Sequence, residues 1–134
     1  MATLGQKLAK QAGEYIRCMH TLSLPVTATA NTDYAAFALP AGAMDLTYRT
    51  YTTTAYTAGT DAQISIGSTA GGVDYVAATT IKAVGVKLHT PVDAAAAVHL
   101  APGALNLFVR VTQSGTATAV GAATLTIMYS LPVS

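Results

Sequence analysis

From residue 15 onward the chain alternates apolar and polar positions in short runs, a period that predicts strands. Ile16, Cys18, His20, Leu22, Leu24 and Val26 share one parity, and Tyr15, Arg17, Met19, Thr21 and Ser23 share the other. Successive side chains of a strand point to opposite faces, so this is a strand with one buried face. Pro25 has no amide proton to donate, which places the end of that strand at a sheet edge. Tyr34 to Leu39 is apolar and is stopped by Pro40-Ala41-Gly42. Met44, Leu46 and Tyr48 then oppose Asp45, Thr47, Arg49 and Tyr51 in a Thr- and Tyr-rich run to Ala55, a composition that suits a pleated, half-buried surface.

The remaining chain continues in the same rhythm. Ala62, Ile64 and Ile66 alternate with Gln63, Ser65 and Gly67, and a tight turn at Gly71-Gly72 follows. Val73 to Ala78 fits a strand, while Val76 to Val84 also fits a single helical turn or a loop. Val86 and Leu88 alternate with Lys87 and His89. Ala94 to Leu100 admits either a helix, from its alanine content, or an edge strand, from its length. Leu105, Leu107, Val109 and Val111 share one side of a strand. Leu125, Ile127 and Tyr129 share one side of another, and these two segments look like an antiparallel pair joined by a long hairpin loop. Short strands at this spacing, with no βαβ rhythm, predict an all-β fold: an antiparallel β-sandwich, jelly-roll-like.

Residues 1 to about 14 differ. Leu4, Leu8 and Ala12 fall at helical spacing, with Tyr15 continuing the series, but Gly5 and Gly13 weaken a helix. A short helix or a mobile arm is expected. The chain divides into residues 1–30, an N-terminal arm with the first edge strand, and residues 31–134, a single β-sandwich domain.

Composition narrows the function more than the fold. The 134 residues suit one domain, and only 10% are charged against about 25% in an ordinary domain. A surface so poor in charge suits a protein packed against copies of itself or a larger body. The net charge is +1, with Lys7, Lys10 and Arg17 the nearest approach to a basic cluster, so no stripe exists to neutralise a phosphate backbone. No nucleic acid is expected as a partner. No stretch approaches the roughly 20 apolar residues of a membrane span, and the opening MATLGQKLAK lacks the apolar run of a signal peptide, so no membrane is expected either.

Catalytic and metal constellations do not form. His20, His89 and His99 show neither HxH nor HxxxH spacing, and a metal needs several converging ligands, so they read as packing or surface histidines. Asp33, Asp61 and Asp93 lie in turns, where carboxylates accept bonds from the local backbone. Ser68 lacks the G-x-S-x-G frame, and no GK[ST] follows Gly71-Gly72. Cys18, the one cysteine, falls on the apolar parity and reads as a buried thiol. The expectation is a non-enzymatic protein with no cofactor and no metal. Among the seven tyrosines, Tyr48 and Tyr129 fit the core, whereas Tyr51 and Tyr56 are expected to be exposed, where tyrosine favours interfaces. An exposed aromatic platform would alternatively serve a carbohydrate-binding sandwich.

Ser65, Ile66, Gly67, Ser68, Gly71, Gly72, Tyr75, Val76, Ala77, Ala78 and Thr79, with Pro102-Gly103 before the terminal strands, carry a resemblance to small all-β structural proteins of tailed bacteriophages. The resemblance spans roughly residues 40 to 130. It implies a capsid decoration (cement) or head-fibre protein, a homotrimer bound to the major capsid protein. Its place would be the capsid surface of the virion, after synthesis in the host cytoplasm. A tail, neck or fibre-base module is the alternative within the same family. The arm would contribute Leu4, Lys7, Leu8, Lys10, Tyr15 and Arg17 to inter-subunit contacts, with Tyr51 and Tyr56 as further interface candidates.

Overall fold

The computed structural model describes residues 15–34, 36–40, 42–89 and 105–132. They form nine strands: β1 (Tyr15–Pro25), β2 (Asn31–Asp33), β3 (Phe37–Leu39), β4 (Met44–Thr54), β5 (Asp61–Gly67), β6 (Val76–Thr80), β7 (Gly85–His89), β8 (Leu105–Ser114) and β9 (Ala122–Pro132). Two antiparallel sheets result, one ordered β1-β9-β4-β7 and the other β2-β8-β5-β6, with β3 also pairing β8. Both β2 and β3 lie along β8, opposite Thr112 to Arg110 and Leu107 to Leu105, so they act as one interrupted edge strand. The expected antiparallel β-sandwich is present. Most of the arm, including Leu4, Lys7, Leu8 and Lys10, lies outside the described residues, as does the segment 94–100.

One expectation about pairing is corrected. Strands β8 and β9 are not a hairpin pair: β8 sits between β2 and β5, and β9 sits between β1 and β4, in the opposite sheet. Each carries one apolar face, and the two faces meet across the core between the sheets. Of the alternatives for residues 73–84, the strand is the one formed, over Val76–Thr80, because the Gly71-Gly72 turn lays them back along β5, with Ile64 opposite Thr79 and Ile66 opposite Val76.

The core is the layer between the two inner faces. Ile64, Ile66, Val76, Leu107, Val109 and Val111 meet Leu24, Tyr48, Leu125 and Ile127, all at most 2% exposed. Each such side chain contributes roughly 1.5–3 kcal/mol through burial. Strand β4 continues this inner face with threonine. Thr52 Oγ1 donates to the Ile81 carbonyl at 2.8 Å, and Thr50 Oγ1 bonds His89 Nε2 at 2.7 Å. Bonded in this way, the buried hydroxyls avoid the cost of desolvation without a partner. At one end Gln113, 3% exposed, ties together the loops that cross between sheets: its amide donates to the Thr27 and Thr118 carbonyls and its Oε1 accepts from the Thr118 amide.

The two long sides of the sandwich close differently. On the β1/β3 side, the His20 ring stacks on Phe37 with centroids 3.9 Å apart, and Tyr129 lies beyond at 6.3 Å. The β6/β7 side is left open as a cleft of about 680 Å³.

Tyr56 is a further correction. It was expected at the surface but is 2% exposed. Its amide bonds the Lys82 carbonyl, and its ring passes so close to Gly121 that a Cβ there would lie 2.5 Å from the ring. Gly121 has φ +147, a conformation open to glycine and rarely to other residues. The loop before β9 thus folds over the ring, and the Tyr56 hydroxyl is buried with no hydrogen-bond partner. Substituting Gly121→Ala should therefore cost about 1–3 kcal/mol in urea denaturation, through overpacking. Tyr56→Phe should leave the fold as stable or up to about 1 kcal/mol more stable, because the hydroxyl it removes is unsatisfied.

Candidate interface

The sandwich presents two outer faces of different chemistry. On the five-stranded sheet the outward positions around β2 and β8 include polar residues that pair with one another. Arg110 grips Asp33 through both carboxylate oxygens, Nε to Oδ1 at 2.6 Å and Nη2 to Oδ2 at 2.9 Å, and Thr112 Oγ1 donates to Asn31 Oδ1 at 2.9 Å. The guanidinium holds the Asp33 carboxyl below the usual carboxylate range. At the hairpin end, Asp74 accepts from the Ser68 amide at 2.9 Å and the Ser68 hydroxyl at 2.6 Å, which holds its carboxyl low as well. An ionised carboxylate bonded in this way organises a turn. Among the described residues, the Ser68 hydroxyl bonds Asp74 and no histidine.

The outer face of the other sheet is built from threonine, methionine and aliphatic residues. Register places Met19 beside Met128 and Met128 beside Thr47; Thr21 beside Thr126 and Thr126 beside Arg49; and Ser23 beside Thr124 and Thr124 beside Tyr51. On the far side of β4, Arg49 lies opposite Leu88 and Tyr51 opposite Val86. Met19 is 66% exposed, Tyr51 50%, Val86 63% and Leu88 67%. A run of large apolar side chains on one sheet face, with few charges to desolvate, is the chemistry of an interaction surface.

Several expected interface residues fall on this face. Arg17 lies across it, with Nη2 donating to Thr47 Oγ1 at 2.9 Å and Nη1 to Ser130 Oγ at 3.1 Å, so it spans β1, β9 and β4. Tyr51 is exposed near the centre, as anticipated. Tyr15 begins β1, its backbone opposite Pro132. Tyr56 is excluded by its burial.

Val86 and Leu88 belong to the same face and were missed. Their alternation with Lys87 and His89 identified two faces but not which one turns inward, and apolar residues are ordinarily assigned to the core. Strand β7 does the reverse, turning His89 inward at 5% exposure. Met19 did give a signal, as an apolar residue on the polar parity of β1. Cys18, on the inward parity, is half-buried rather than fully buried. Among the described residues, no group of three or more His, Cys, Asp or Glu converges to hold a metal, and no helix is long and apolar enough to cross a membrane.

A chain of the acid-stable capsid of Helicobacter pylori bacteriophage KHP30 superposes on this one with a TM-score of 0.62, at 15% identity, over 87% of this chain and 89% of that chain. The fold is one found in bacteriophage capsids. A chain in the capsid asymmetric unit of cyanophage Pam1 gives a TM-score of 0.54 at 18% identity, over 90% of this chain and 86% of that chain. No protein-family model and no curated protein sequence matches. At these identities the likeness is one of fold, and it extends along nearly the whole length of each chain. The sequence resemblance to all-β phage structural proteins thus has a counterpart in three dimensions.

The inward turn of β7 makes the seam between β4 and β7 sensitive to acid. Burial, with Lys87 nearby, pushes the His89 pKa below its ordinary 6.5, and its Nδ1 has no partner. The unfolded chain therefore takes up a proton at higher pH than the folded one. Stability from this site is complete above pH about 6.5 and falls as pH drops from there towards the folded pKa. The melting temperature should decline between pH 7.5 and pH 5, and His89→Leu should flatten that decline while lowering stability at pH 7.5 by about 1 kcal/mol, since Thr50 loses its partner.

Proposed function

We propose that this chain is a structural component of a phage virion, a decoration or cement protein that binds the outside of the major capsid lattice and stabilises the head without transforming any molecule. The observation that carries this proposal is the shared fold, which covers almost the full length of chains belonging to two phage capsids. Counting β2 and β3 as one interrupted strand, the order β1-β9-β4-β7 facing β2/β3-β8-β5-β6 reads as an eight-stranded jelly roll, an architecture at home in capsids.

The surface chemistry supports the same role. One sheet face is polar and internally ion-paired, and the other offers Met19, Tyr51, Val86 and Leu88 among threonines. A face of this kind loses little on desolvation and gains by apolar burial, and closed symmetry repeats that modest gain at every copy. A homotrimer seated on the major capsid protein fits this economy of contacts, with the N-terminal arm, Tyr15 and Arg17 reaching to neighbouring subunits.

A carbohydrate platform has less support. Tyr51 is the one tyrosine or phenylalanine among the large apolar residues exposed in the described chain, and it lies on an open sheet face. The cleft is lined instead by Thr52, Ile81, Val84, Val86 and the buried Tyr56, among other residues.

Quantitative mass spectrometry of purified particles checks the proposal. Hundreds of copies per particle are expected of a head-surface protein, and particles lacking it should release their genome at lower temperature. Six or twelve copies would move the chain to the tail, neck or fibre base, and its absence from particles would refute a virion role.

A further inference from the structure

We propose that the outer edge of β7 pairs antiparallel with β7 of a second copy, about a two-fold axis at Val86, joining the two four-stranded sheets into one. This rests on the reading of the chain as a virion component that assembles with itself, and it names one two-fold contact, made between neighbouring trimers rather than within one.

Among the described residues, β7 is the last strand of its sheet and pairs only with β4. An unpaired edge is a template for another strand, and proteins commonly blunt such edges with proline, bulges or charges. β1, at the other end of the sheet, carries Pro25, and its inner side is closed by the stack of His20 on Phe37. β7 has no proline and keeps an unbroken register with β4 from Gly85 to His89. The space on its inner side is also free: the 680 Å³ cleft runs along Val84, Gly85, Val86 and Lys87. An incoming strand therefore has room for side chains on both faces of the extended sheet.

Lys87 selects the occupant and the register. It is the one charged residue from Val84 to Leu88. An antiparallel pair centred on Lys87 would set two ammonium groups opposite each other, which is destabilising. Centring the pair on Val86 instead sets each Lys87 opposite Gly85 of the other copy. Gly85 has no side chain, and a Cβ built there would meet nothing within 4 Å, so the lysine stem has open space beside the cleft. The same register sets Val86 against Val86 and Val84 against Leu88. These side chains are 63%, 60% and 67% exposed in the single chain. Tyr51, opposite Val86 within each copy, flanks the apolar row on both sides of the axis. The segment is thus self-complementary in charge and shape in one register and disfavoured in the neighbouring one, as a specific contact between identical surfaces requires.

Disulfide trapping of the full chain in a Cys18→Ser background tests both the pairing and its register. Val86→Cys should form a disulfide-linked dimer under mild oxidation at least about tenfold faster than Leu88→Cys alone. Residues directly opposite lie within disulfide reach, whereas two copies of residue 88 would be offset by about 13 Å along the strands. Mixing Val84→Cys with Leu88→Cys should restore fast cross-linking. Val86→Lys in the native background should shift the sedimenting species to a smaller one that lacks the two-fold contact.

Cross-linking of Val86→Cys no faster than Leu88→Cys overturns the proposal, as does unchanged sedimentation of Val86→Lys. So does a Val86→Cys chain that cross-links within particles only to a different protein. If the chain still enters particles in these cases, the virion role stands and only this contact fails. If it never enters particles, the virion role fails whatever the cross-linking shows.

Discussion

The fold depends on burying two inner sheet faces against each other. Ile64, Ile66, Leu107 and Val109 from one sheet and Tyr48, Leu125 and Ile127 from the other exclude water from a single layer. That constraint fixes which way each long strand must turn, and so fixes what remains for the two outer faces. It also explains the inward threonines of β4. They are buried beside β7, and each directs its hydroxyl to a partner, Thr50 to His89 and Thr52 to the Ile81 carbonyl.

What the core leaves outside is uneven, and that unevenness carries the functional meaning. One outer face is occupied by its own hydrogen bonds and the Arg110–Asp33 ion pair, so it has little left to offer a partner. The other is broad, weakly charged and dotted with methionine, valine and leucine. The long sides differ in the same sense. Aromatic stacking shuts one, while the other is an open cleft beside an unprotected strand edge. The proposed assembly through one face and one edge draws on that asymmetry, and the fold is one shared with chains of two phage capsids.

Much of this was legible before any coordinates. The alternation in residues 15–26 placed Leu22 and Leu24 inward and Thr21 and Ser23 outward, and the structure has Leu24 buried and Thr21 and Ser23 exposed. Ala62, Ile64 and Ile66 are fully buried, as their parity required, and so are Leu125 and Ile127. Tyr51, named as an interface candidate, is exposed on the outer face, and Arg17 reaches across that face. Tyr56 was misplaced because its exposure depends on a loop more than sixty positions away, where Gly121 lets the backbone close over the ring. Local composition holds no trace of that contact.

Local pattern was enough to set most strands, their two faces and the poverty of charge, because a period of two and a residue count are local properties. Tertiary structure alone decided which strands became neighbours and which face of a short strand turned inward. β8 and β9 are consecutive and equally amphipathic, yet they pair with strands far away in sequence and lie in opposite sheets, with their apolar faces meeting across the core. In β7, pairing with β4 set His89 against the buried Thr50 hydroxyl and so turned Val86 and Leu88 to the surface. That choice, made by hydrogen bonding across strands rather than by hydrophobicity along one, created the face through which the protein is proposed to assemble.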